Sequence, residues 1–439
     1  MGDSCLMSLS LLLAVACVQN TTIGIGGDGD DDGGTGTPRD TAIDELPGDT
    51  TDTGEDTGEP VERDRAAEAA WQDEFFVNTK IHQYEITLDE DNYRALRRDG
   101  HSFAVADLTV DGETVPGVGI RLRGKIGSYR ELSQKPKFKF DLNEYNGEQR
   151  LHGLKTMLLN NSVVDCSYLR EPIGYQVFRD AGLPASRTSF AHVEVNGENY
   201  GLYVVIEAPD SELLRVVHPE DDEGNLYDGK YVYDWNTGNY TMLDFAANVD
   251  SLYALEEGTE VENADIVAVS DAVWDAPRGP GYQAAVDPLV DWEQWHTAWA
   301  LEQWTGHLDG YQMNRNNYRV YFRPSDGKME YVPTDFDYAF LSDGGWGVWW
   351  TGPIGVLASR CFIDADCADA HRASLGSMLE RIDPNALRAQ LAEMKALIAD
   401  EAADDPRREC GTSDVWATQS YLDSWISGRD AQVRAAWRL

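Results

Sequence analysis

Basic residues are scarce in this sequence. The 439-residue chain has 36 lysines and arginines against 77 aspartates and glutamates, so its formal net charge is −41 at pH 7. A surface of that sign repels the phosphates of nucleic acids, and we expect no nucleic-acid partner. Because 42% of the residues are hydrophobic, the chain can still build a sizeable core, which excludes a wholly disordered protein.

Long hydrophobic runs are also missing. The apolar run at residues 6–16 is too short to span a bilayer as a helix, but it has the length of a signal-peptide core. It ends at Ala14-Val15-Ala16-Cys17, which resembles a bacterial lipobox. We therefore expect residues 1–17 to be a signal peptide and Cys17 to be lipidated, which would make the protein an exported lipoprotein anchored at a membrane or cell surface. A cytoplasmic N-terminal helix is the alternative.

Large apolar side chains are nearly absent from residues 18–65, which consist mainly of glycine, aspartate, threonine and glutamate. Such a segment cannot bury enough surface to offset the entropy lost on ordering. The composition predicts a flexible acidic linker between the anchor and a folded domain.

Cysteine is rare, with six in the chain. If Cys5 is removed with the signal peptide and Cys17 carries lipid, an even number remains, and three pairings are possible: Cys166, Cys361, Cys367 and Cys410. The C-x5-C spacing of Cys361 and Cys367 favours a short disulfide in an oxidising compartment. A zinc site is the weaker alternative, because His371 is the only imidazole nearby in the sequence.

Strand and turn signals dominate residues 80–210. Two hairpins are predicted at residues 108–123 and 193–207, each around a two-residue Asp-Gly or Asn-Gly turn. Residues 135–142 alternate between lysines and phenylalanines, as in a strand with one buried face. One helix is expected to interrupt these strands, starting near Asp165 or Ser167 and ending at Gly182.

The second half of the chain has a different pattern. We interpret residues 215–285 as an acidic connection or insertion. Tryptophans recurring near the helical period after Asp287 then predict a deeply packed helix, followed by a hairpin at 318–332 and amphipathic helices over 372–437. A sheet-rich first half and a helix-rich second half predict an α+β fold.

Carboxylates and amides cluster between His307 and Asp337. These oxygen donors are Asp309, Asn314, Asn316, Asn317, Asp335 and Asp337. Phosphoryl transfer needs a carboxylate to orient the nucleophile, oxygen ligands for Mg²⁺ and cations over the phosphates. Asp309 is followed by Asn314 at the spacing that protein kinases use, although chance turns in an aspartate-rich chain are the alternative.

The cations would come from a basic run in an otherwise acidic chain: Arg121, Arg123, Lys125, Arg130, Lys135, Lys137 and Lys139. Gly124 and Gly127 would let this loop approach phosphates closely, and Glu171 on the predicted helix could pair with a strand lysine. The alternatives are a solvated strand face and a surface helix pair.

Several motifs resemble, in order, the CotH (spore coat protein H) kinase family across roughly residues 80–345. They are Arg121-Leu122-Arg123-Gly124, Lys135-Pro136-Lys137-Phe138-Lys139-Phe140, Tyr168-Leu169-Arg170-Glu171, Ala181-Gly182-Leu183-Pro184-Ala185, Asn196-Gly197, Tyr200-Gly201-Leu202-Tyr203 through Glu207, Asp309, Asn317-Tyr318, Asp326-Gly327 and Pro333-Thr334-Asp335-Phe336-Asp337. The resemblance implies an atypical protein-kinase-like fold and Mg-ATP-dependent phosphorylation of protein side chains. It places the kinase-like domain at 75–345, with an N-terminal lobe at about 80–210, a C-terminal lobe from about 285 and a further helical part at 346–439.

The resemblance also implies roles for individual residues. Asp309 would be the catalytic carboxylate. Arg123, Lys139, Glu171 and Glu207 would bind the nucleotide, with Lys139 holding phosphates beside Glu171 and Glu207 in the adenine hinge. Asn317 or Asn314, with Asp335 and Asp337, would bind Mg²⁺. Separately from the resemblance, the three tryptophans among glycines in the loop Gly344–Trp350 indicate a substrate lid or a segment that packs against the helical half.

Two functions follow as hypotheses. The first is an Mg-ATP-dependent kinase of exported or cell-surface proteins. The second is a non-catalytic, lipid-anchored scaffold or binding protein that keeps the kinase-like fold. Scarcity of ATP outside the cytoplasm favours the second, whereas the presence of each expected acidic and basic residue favours the first.

Overall fold

Alternating apolar residues in the first half of the chain form a closed seven-stranded barrel. In this computed structural model, residues 63–439 are described except 126, 235–238, 246–247 and 342–351. The strands follow the order β1-β2-β3-β4-β5-β7-β6, and β1 closes the barrel by pairing in parallel with β6. Their bounds are β1 (Ile81–Thr87), β2 (Ala104–Val110), β3 (Glu113–Arg123), β4 (Lys137–Asp141), β5 (Thr156–Asn160), β6 (Thr188–Val195) and β7 (Glu198–Glu207).

The predicted hairpins and alternating strand are confirmed. β2 and β3 turn at Asp111-Gly112, and β6 and β7 turn at Asn196-Gly197. In β4, Phe138 and Phe140 are fully buried in the apolar cluster of the barrel. Because successive side chains alternate across a strand, the lysines of β4 share the opposite face.

Three helices accompany the barrel: α1 (Arg65–Phe75), α2 (Glu90–Arg98) and α3 (Arg170–Asp180). The expectation of a single helix among the strands is wrong, because α2 lies between β1 and β2. Its signals are short but present in the sequence: Asp89 accepts a hydrogen bond from the amide of Asn92, and basic residues occupy its last turn.

The start of α3 differs from the prediction. Leu169 is the N-cap residue and makes no side-chain cap, whereas Asp165 and Ser167 lie in the turn before it. Asp165 still accepts a hydrogen bond from the amide of Arg170 at 2.9 Å, so it satisfies a helix N–H from outside the cap position.

Part of the segment interpreted as a connection belongs to a second sheet. Its strand order is β11-β8-β12-β13, all antiparallel. The predicted hairpin supplies β12 (Tyr318–Phe322) and β13 (Met329–Pro333), while β8 (Asn225–Gly229) and β11 (Tyr253–Glu257) come from residues 215–285. A short two-stranded pair, β9 (Tyr233–Asp234) and β10 (Asn239–Tyr240), lies between them. The pairing of β8 with β12 joins distant residues, which no local pattern reveals.

Helices dominate the second half, as predicted. They are α4 (Ser211–Val217), α5 (Ala264–Asp275), α6 (Tyr282–Val286), α7 (Trp292–Thr305), α8 (Tyr311–Asn314), α9 (Val356–Cys361), α10 (Ala365–Arg381), α11 (Pro384–Leu397), α12 (Ala399–Asp404) and α13 (Thr412–Trp437), with a 3₁₀ turn at Val249–Ser251. The tryptophans of α7 are buried in the larger apolar cluster, which also contains residues of α3. The α+β class is therefore confirmed.

Two disulfides join the four cysteines of the described part, Cys361–Cys367 and Cys166–Cys410. The short disulfide is as predicted. Its sulfurs lie near His296, but their bond to each other leaves no thiolate for a zinc ion.

Residues 1–62 and the loop at 342–351 lie outside the described residues, so the signal peptide, Cys17, most of the linker and the tryptophan-rich loop stay predictions. The helix α1 begins at Arg65, the last residue that we assigned to the linker. Among the described helices, none is both long and apolar enough to span a bilayer.

Candidate functional site

Lys137 is the centre of a buried charge cluster. Its side chain is 1% exposed, and its Nζ lies 3.1 Å from Oδ2 of both Asp335 and Asp337. Asp337 is also buried, whereas the side chain of Asp335 is 24% exposed. The strand β4 and the segment after β13 therefore meet through one ammonium group and two carboxylates.

The pKa values of these groups reflect their mutual attraction. Burial by itself would lower the pKa of Lys137, but the charges of Asp335 and Asp337 outweigh it and raise that pKa. Burial would raise the pKa of Asp335, but Lys137 holds it well below the usual range. Burial and the charge of Asp335 raise the pKa of Asp337. The cluster thus holds one firmly ionised carboxylate beside one that resists ionisation.

Glu171 brings a third carboxylate toward Lys137. It lies in the first turn of α3, where its Oε2 accepts a hydrogen bond from Asn160 on β5. Its Oε1 is buried and has no hydrogen-bond partner among the described residues. Burial, followed by the charge of Asp335, raises the pKa of Glu171, while Lys137 opposes that rise. The helix therefore places this carboxylate where it interacts electrostatically with Lys137, whereas the sequence analysis paired it with Lys139.

Asp309 is held by three amides. The side chains of Asn314, Asn316 and Asn317 all donate hydrogen bonds to its carboxylate, the last two at 3.0 Å. Burial raises the pKa of Asp309, and these hydrogen bonds oppose the rise. The oxygen-rich cluster seen in the sequence between 309 and 317 is thus a single local network with Asp309 at its centre.

Backbone hydrogen bonds join the Asp309 loop to the Asp335 segment. The amide of Leu308 donates to the carbonyl of Tyr338 at 3.2 Å, and the amide of Thr334 donates to that of Asn317 at 3.0 Å. Asn317 and Asp335 both have positive φ, 53° and 50°. Asparagine and aspartate adopt this left-handed conformation more readily than other non-glycine residues, so the chain turns tightly at both positions.

Arg123 adds a second cation. It is the Cα partner of Lys137 in the pairing of β3 with β4. Its Nη1 is buried without a hydrogen-bond partner in the described part of the chain. An unpaired buried guanidinium nitrogen beside an ammonium group is suited to bind a phosphate oxygen.

Two predicted nucleotide-binding residues lie elsewhere. Lys139 is on the same face of β4 as Lys137, two residues further along the strand. Its Nζ lies 5.9 Å from the ring centre of Phe103. Glu207, at the end of β7, forms an ion pair with Arg187 at 2.5 Å. Lys137 is therefore the lysine that pairs with the aspartates, and the nucleotide-binding roles of Lys139 and Glu207 stay predictions.

The oxygen donors present fit a magnesium ion. Mg²⁺ prefers carboxylate and amide oxygens and is commonly held by one or two carboxylates together with substrate phosphates. Among the described residues, Asp335 and Asp337 supply two carboxylates that approach one ammonium group, and Asp309 with its asparagines supplies further oxygen donors.

Sequence reasoning missed two residues that shape this site, Arg170 and Tyr175. The Nη1 of Arg170 donates to the carbonyl of Asp337 at 2.9 Å, and the hydroxyl of Tyr175 accepts from the amide of Asp335 at 2.9 Å. Arg170 was visible as part of a family-like motif, but nothing local indicated which backbone atom it contacts.

Comparison with known proteins agrees with these motifs. Residues 120–433 match the family described as CotH kinase protein. The inner spore coat protein H of Bacillus subtilis (strain 168) is 23% identical over 199 residues, 44% of this chain and 51% of that protein. The aligned region thus spans about half the length of this relative.

Two solved structures show weaker similarity. The Helicobacter pylori proinflammatory kinase CtkA has a TM-score of 0.34 and 9% identity, covering 69% of this chain and 93% of that one. The Shewanella oneidensis MR-1 toxin–antitoxin complex of HipA, HipB and operator DNA has a TM-score of 0.32 and 13% identity, covering 71% and 68%. The family match, in contrast, covers more than half of the sequence. The chain therefore belongs to the CotH kinase protein family.

Proposed function

We propose that this protein is an Mg-ATP-dependent atypical kinase that phosphorylates exported or cell-surface proteins. The observation that carries the proposal is the meeting of Lys137 with Asp335 and Asp337, beside Glu171 and Arg123. Membership of the CotH kinase protein family supports a kinase-like function. In this proposal the barrel is the N-terminal lobe of a kinase-like fold and the helical half is the C-terminal lobe.

The residues divide into two chemical groups. Lys137 and Arg123 would bind nucleotide phosphates, and Glu171 would orient the lysine, as in protein kinases. Asp335 and Asp337, with Asn317 or Asn314, would hold magnesium, which neutralises charge on the phosphates when bound. In this proposal Lys137 has the role that the family resemblance gave to Lys139.

Asp309 would act on the acceptor hydroxyl. Its carboxylate is oriented by three amides, and burial raises its pKa, which makes it a better proton acceptor. The hydroxyl proton would pass to Asp309 as the acceptor oxygen forms its bond to phosphorus and the bond to the leaving ADP oxygen breaks. The amides hold the carboxylate in place, so little reorganisation is needed during transfer.

The first experiment is nucleotide-dependent stabilisation of the purified domain. A ligand present at roughly 100 to 1,000 times its dissociation constant stabilises the folded state by about 3 to 4 kcal/mol. We expect Mg-ATP to raise the melting temperature of the wild type, and chelation of magnesium to remove most of that shift. Autophosphorylation or transfer to a generic protein substrate should depend on the same metal.

The lysines of β4 offer a matched pair of variants. Lys137→Met should abolish both the Mg-ATP shift and phosphate transfer, whereas Lys139→Met should retain most of both. If Mg-ATP does not change the melting temperature of the wild type and no transfer occurs, the scaffold or binding function is correct instead. If only Lys139→Met is inactive, the original assignment from the family motif is right.

The cellular location is part of the same proposal. The lipobox-like residues before Cys17 and the relative from a spore coat support an exported, surface-bound protein. We expect the full chain to partition with membranes when expressed in bacteria, and Cys17→Ser to release it to the soluble fraction. Equal partition of both forms would rule out lipidation at Cys17.

A further inference from the structure

The helix α3 contacts each residue of the segment 335–337 separately. Its Tyr175 hydroxyl accepts the hydrogen bond from the Asp335 amide at 2.9 Å. The ring of Phe336 packs on those of Tyr175 and Phe178, with ring centres 4.8 and 4.9 Å apart. Arg170, the first residue of α3, donates a hydrogen bond to the carbonyl of Asp337. One helix thus contacts the amide of Asp335, the ring of Phe336 and the carbonyl of Asp337.

Arg170 is a buried cation whose guanidinium contacts two backbone carbonyls and one carboxylate. Its residue is 8% exposed, and Nη1 lies 2.9 Å from the carbonyl oxygen of Asp337 and 3.4 Å from that of Val164. Its Nε lies 3.5 Å from Oδ1 of Asp165. The guanidinium therefore bridges the turn before α3 and the backbone of a proposed metal ligand.

The turn that holds Arg170 is itself rigid. Asp165 accepts hydrogen bonds from the amide and hydroxyl of Ser167 at 2.9 and 2.5 Å, and from the amide of Arg170. The next residue, Cys166, is joined by a disulfide to Cys410. The guanidinium of Arg170 is planar, so its N–H groups donate in fixed directions. Because the turn before α3 holds this side chain, Arg170 can hold the Asp337 carbonyl in one orientation.

We propose that Arg170 is a positioning residue for Asp337, which sets the direction of that carboxylate and so the affinity of the site for a divalent cation. The proposal rests on the proposed function only for the identity of the ion. Outer-shell partners of metal ligands commonly change metal affinity or activity by 10- to 100-fold when they are replaced. Arg170 has that relationship to Asp337 through its backbone.

Arg170→Lys separates the direction of hydrogen bonding from the charge, because lysine keeps the positive charge but lacks the planar guanidinium. Arg360→Lys is the matched control, since Arg360 is also buried and donates to a backbone carbonyl, that of Val273, in another part of the protein. Both variants lose one buried guanidinium, so a general loss of stability affects both.

The readout that needs no activity is hydrogen exchange of a peptide covering residues 333–341. We expect exchange there to accelerate about threefold or more in Arg170→Lys and to stay at the wild-type rate in Arg360→Lys. Exchange that is unchanged in Arg170→Lys would overturn the positioning role. If Arg170→Lys does not fold, Arg170→Gln replaces it, since it also removes the guanidinium that donates to the Asp337 carbonyl, and unchanged exchange there has the same meaning.

The second readout is the magnesium concentration for half-maximal stabilisation by ATP. We expect it to rise about tenfold in Arg170→Lys and to stay unchanged in Arg360→Lys. Equal values in the two variants would contradict the proposal. Failure of the kinase function is distinguishable, because it shows as no Mg-ATP effect in the wild type while the exchange comparison still decides the role of Arg170.

Discussion

Lys137 and Lys139 share one face of β4 but differ in how deeply they are buried. Both lie opposite the buried phenylalanines of β4, and Lys137, the more deeply buried of the two, pairs with the aspartates after β13. Placing a lysine in a buried position is unfavourable unless opposite charges compensate it. The two carboxylates supply that compensation, and they are nearly 200 residues away in sequence.

A second buried residue, His371, predicts a dependence of stability on pH. It is fully buried among aromatic rings, with Gln303 and His296 as its polar neighbours. Burial, helped by the nearby His296, lowers the pKa of His371 to about 3. In the unfolded chain the same imidazole takes up a proton near its ordinary pKa of about 6.5.

The direction of this pH dependence of stability follows from proton uptake by the unfolded state. As the pH falls below about 6.5, the unfolded chain binds a proton that folded His371 does not, so the free energy of unfolding decreases by up to about 1.4 kcal/mol per pH unit. His371→Gln removes this contribution. We expect urea unfolding to show that the wild type loses stability relative to this variant between pH 6 and pH 4. A difference that is constant with pH would contradict the buried neutral imidazole.

At the level of elements, the segment after α12 fastens the helical half to the barrel. The carboxylate of Asp405 pairs with buried Lys135 and accepts hydrogen bonds from the Tyr168 hydroxyl at 3.0 Å and the Leu202 amide at 3.1 Å. Its approach depends on Gly201, which has a φ of +85°. A Cβ at that position would overlap the Asp405 carboxylate.

Gly201→Ala should therefore destabilise the protein more than Gly197→Ala does. Gly197→Ala is the control in the same hairpin, since its φ is +78° but a Cβ there meets no atom within 4 Å. We expect a cost of about 1 to 2 kcal/mol for Gly197→Ala from backbone strain, and about 3 kcal/mol more for Gly201→Ala, because it also displaces a buried ion pair. Equal unfolding free energies of the two variants would show that Asp405 moves away without loss.

At the level of the whole molecule, the two disulfides differ in the length of chain that they close. Cys166–Cys410 joins residues 244 apart, whereas Cys361–Cys367 joins residues 6 apart. A crosslink restricts the unfolded chain more strongly when its loop is longer. The long disulfide should therefore contribute more to stability, although both are single bonds.

Replacing each pair by alanines tests this expectation. The loop-entropy relation gives about 5 kcal/mol for the long loop and about 2 kcal/mol for the short one. We expect chemical denaturation to show a loss for Cys166→Ala/Cys410→Ala larger by about 3 kcal/mol. A larger loss for Cys361→Ala/Cys367→Ala would mean that packing around the buried short disulfide, and not chain entropy, dominates.

Local patterns determined much of this protein. Periodicity placed both barrel hairpins, the tryptophan helix and the late hairpin, and the ordered motifs identified the family. These features succeed because each depends on residues a few positions apart: a two-residue turn, a strand alternation or a helical stripe.

The tertiary structure decided what depends on distant residues. It drew β8 and β11 into the second sheet, paired Cys166 with Cys410, and selected Lys137 over Lys139 to face Asp335 and Asp337. The alternation of residues in β4 allowed either lysine to pair with the aspartates, because it specifies which face of the strand a residue is on but not how deeply that residue is buried. Depth is set by which partner packs against that face, and here the partner is the segment that α3 holds through Arg170 and Tyr175.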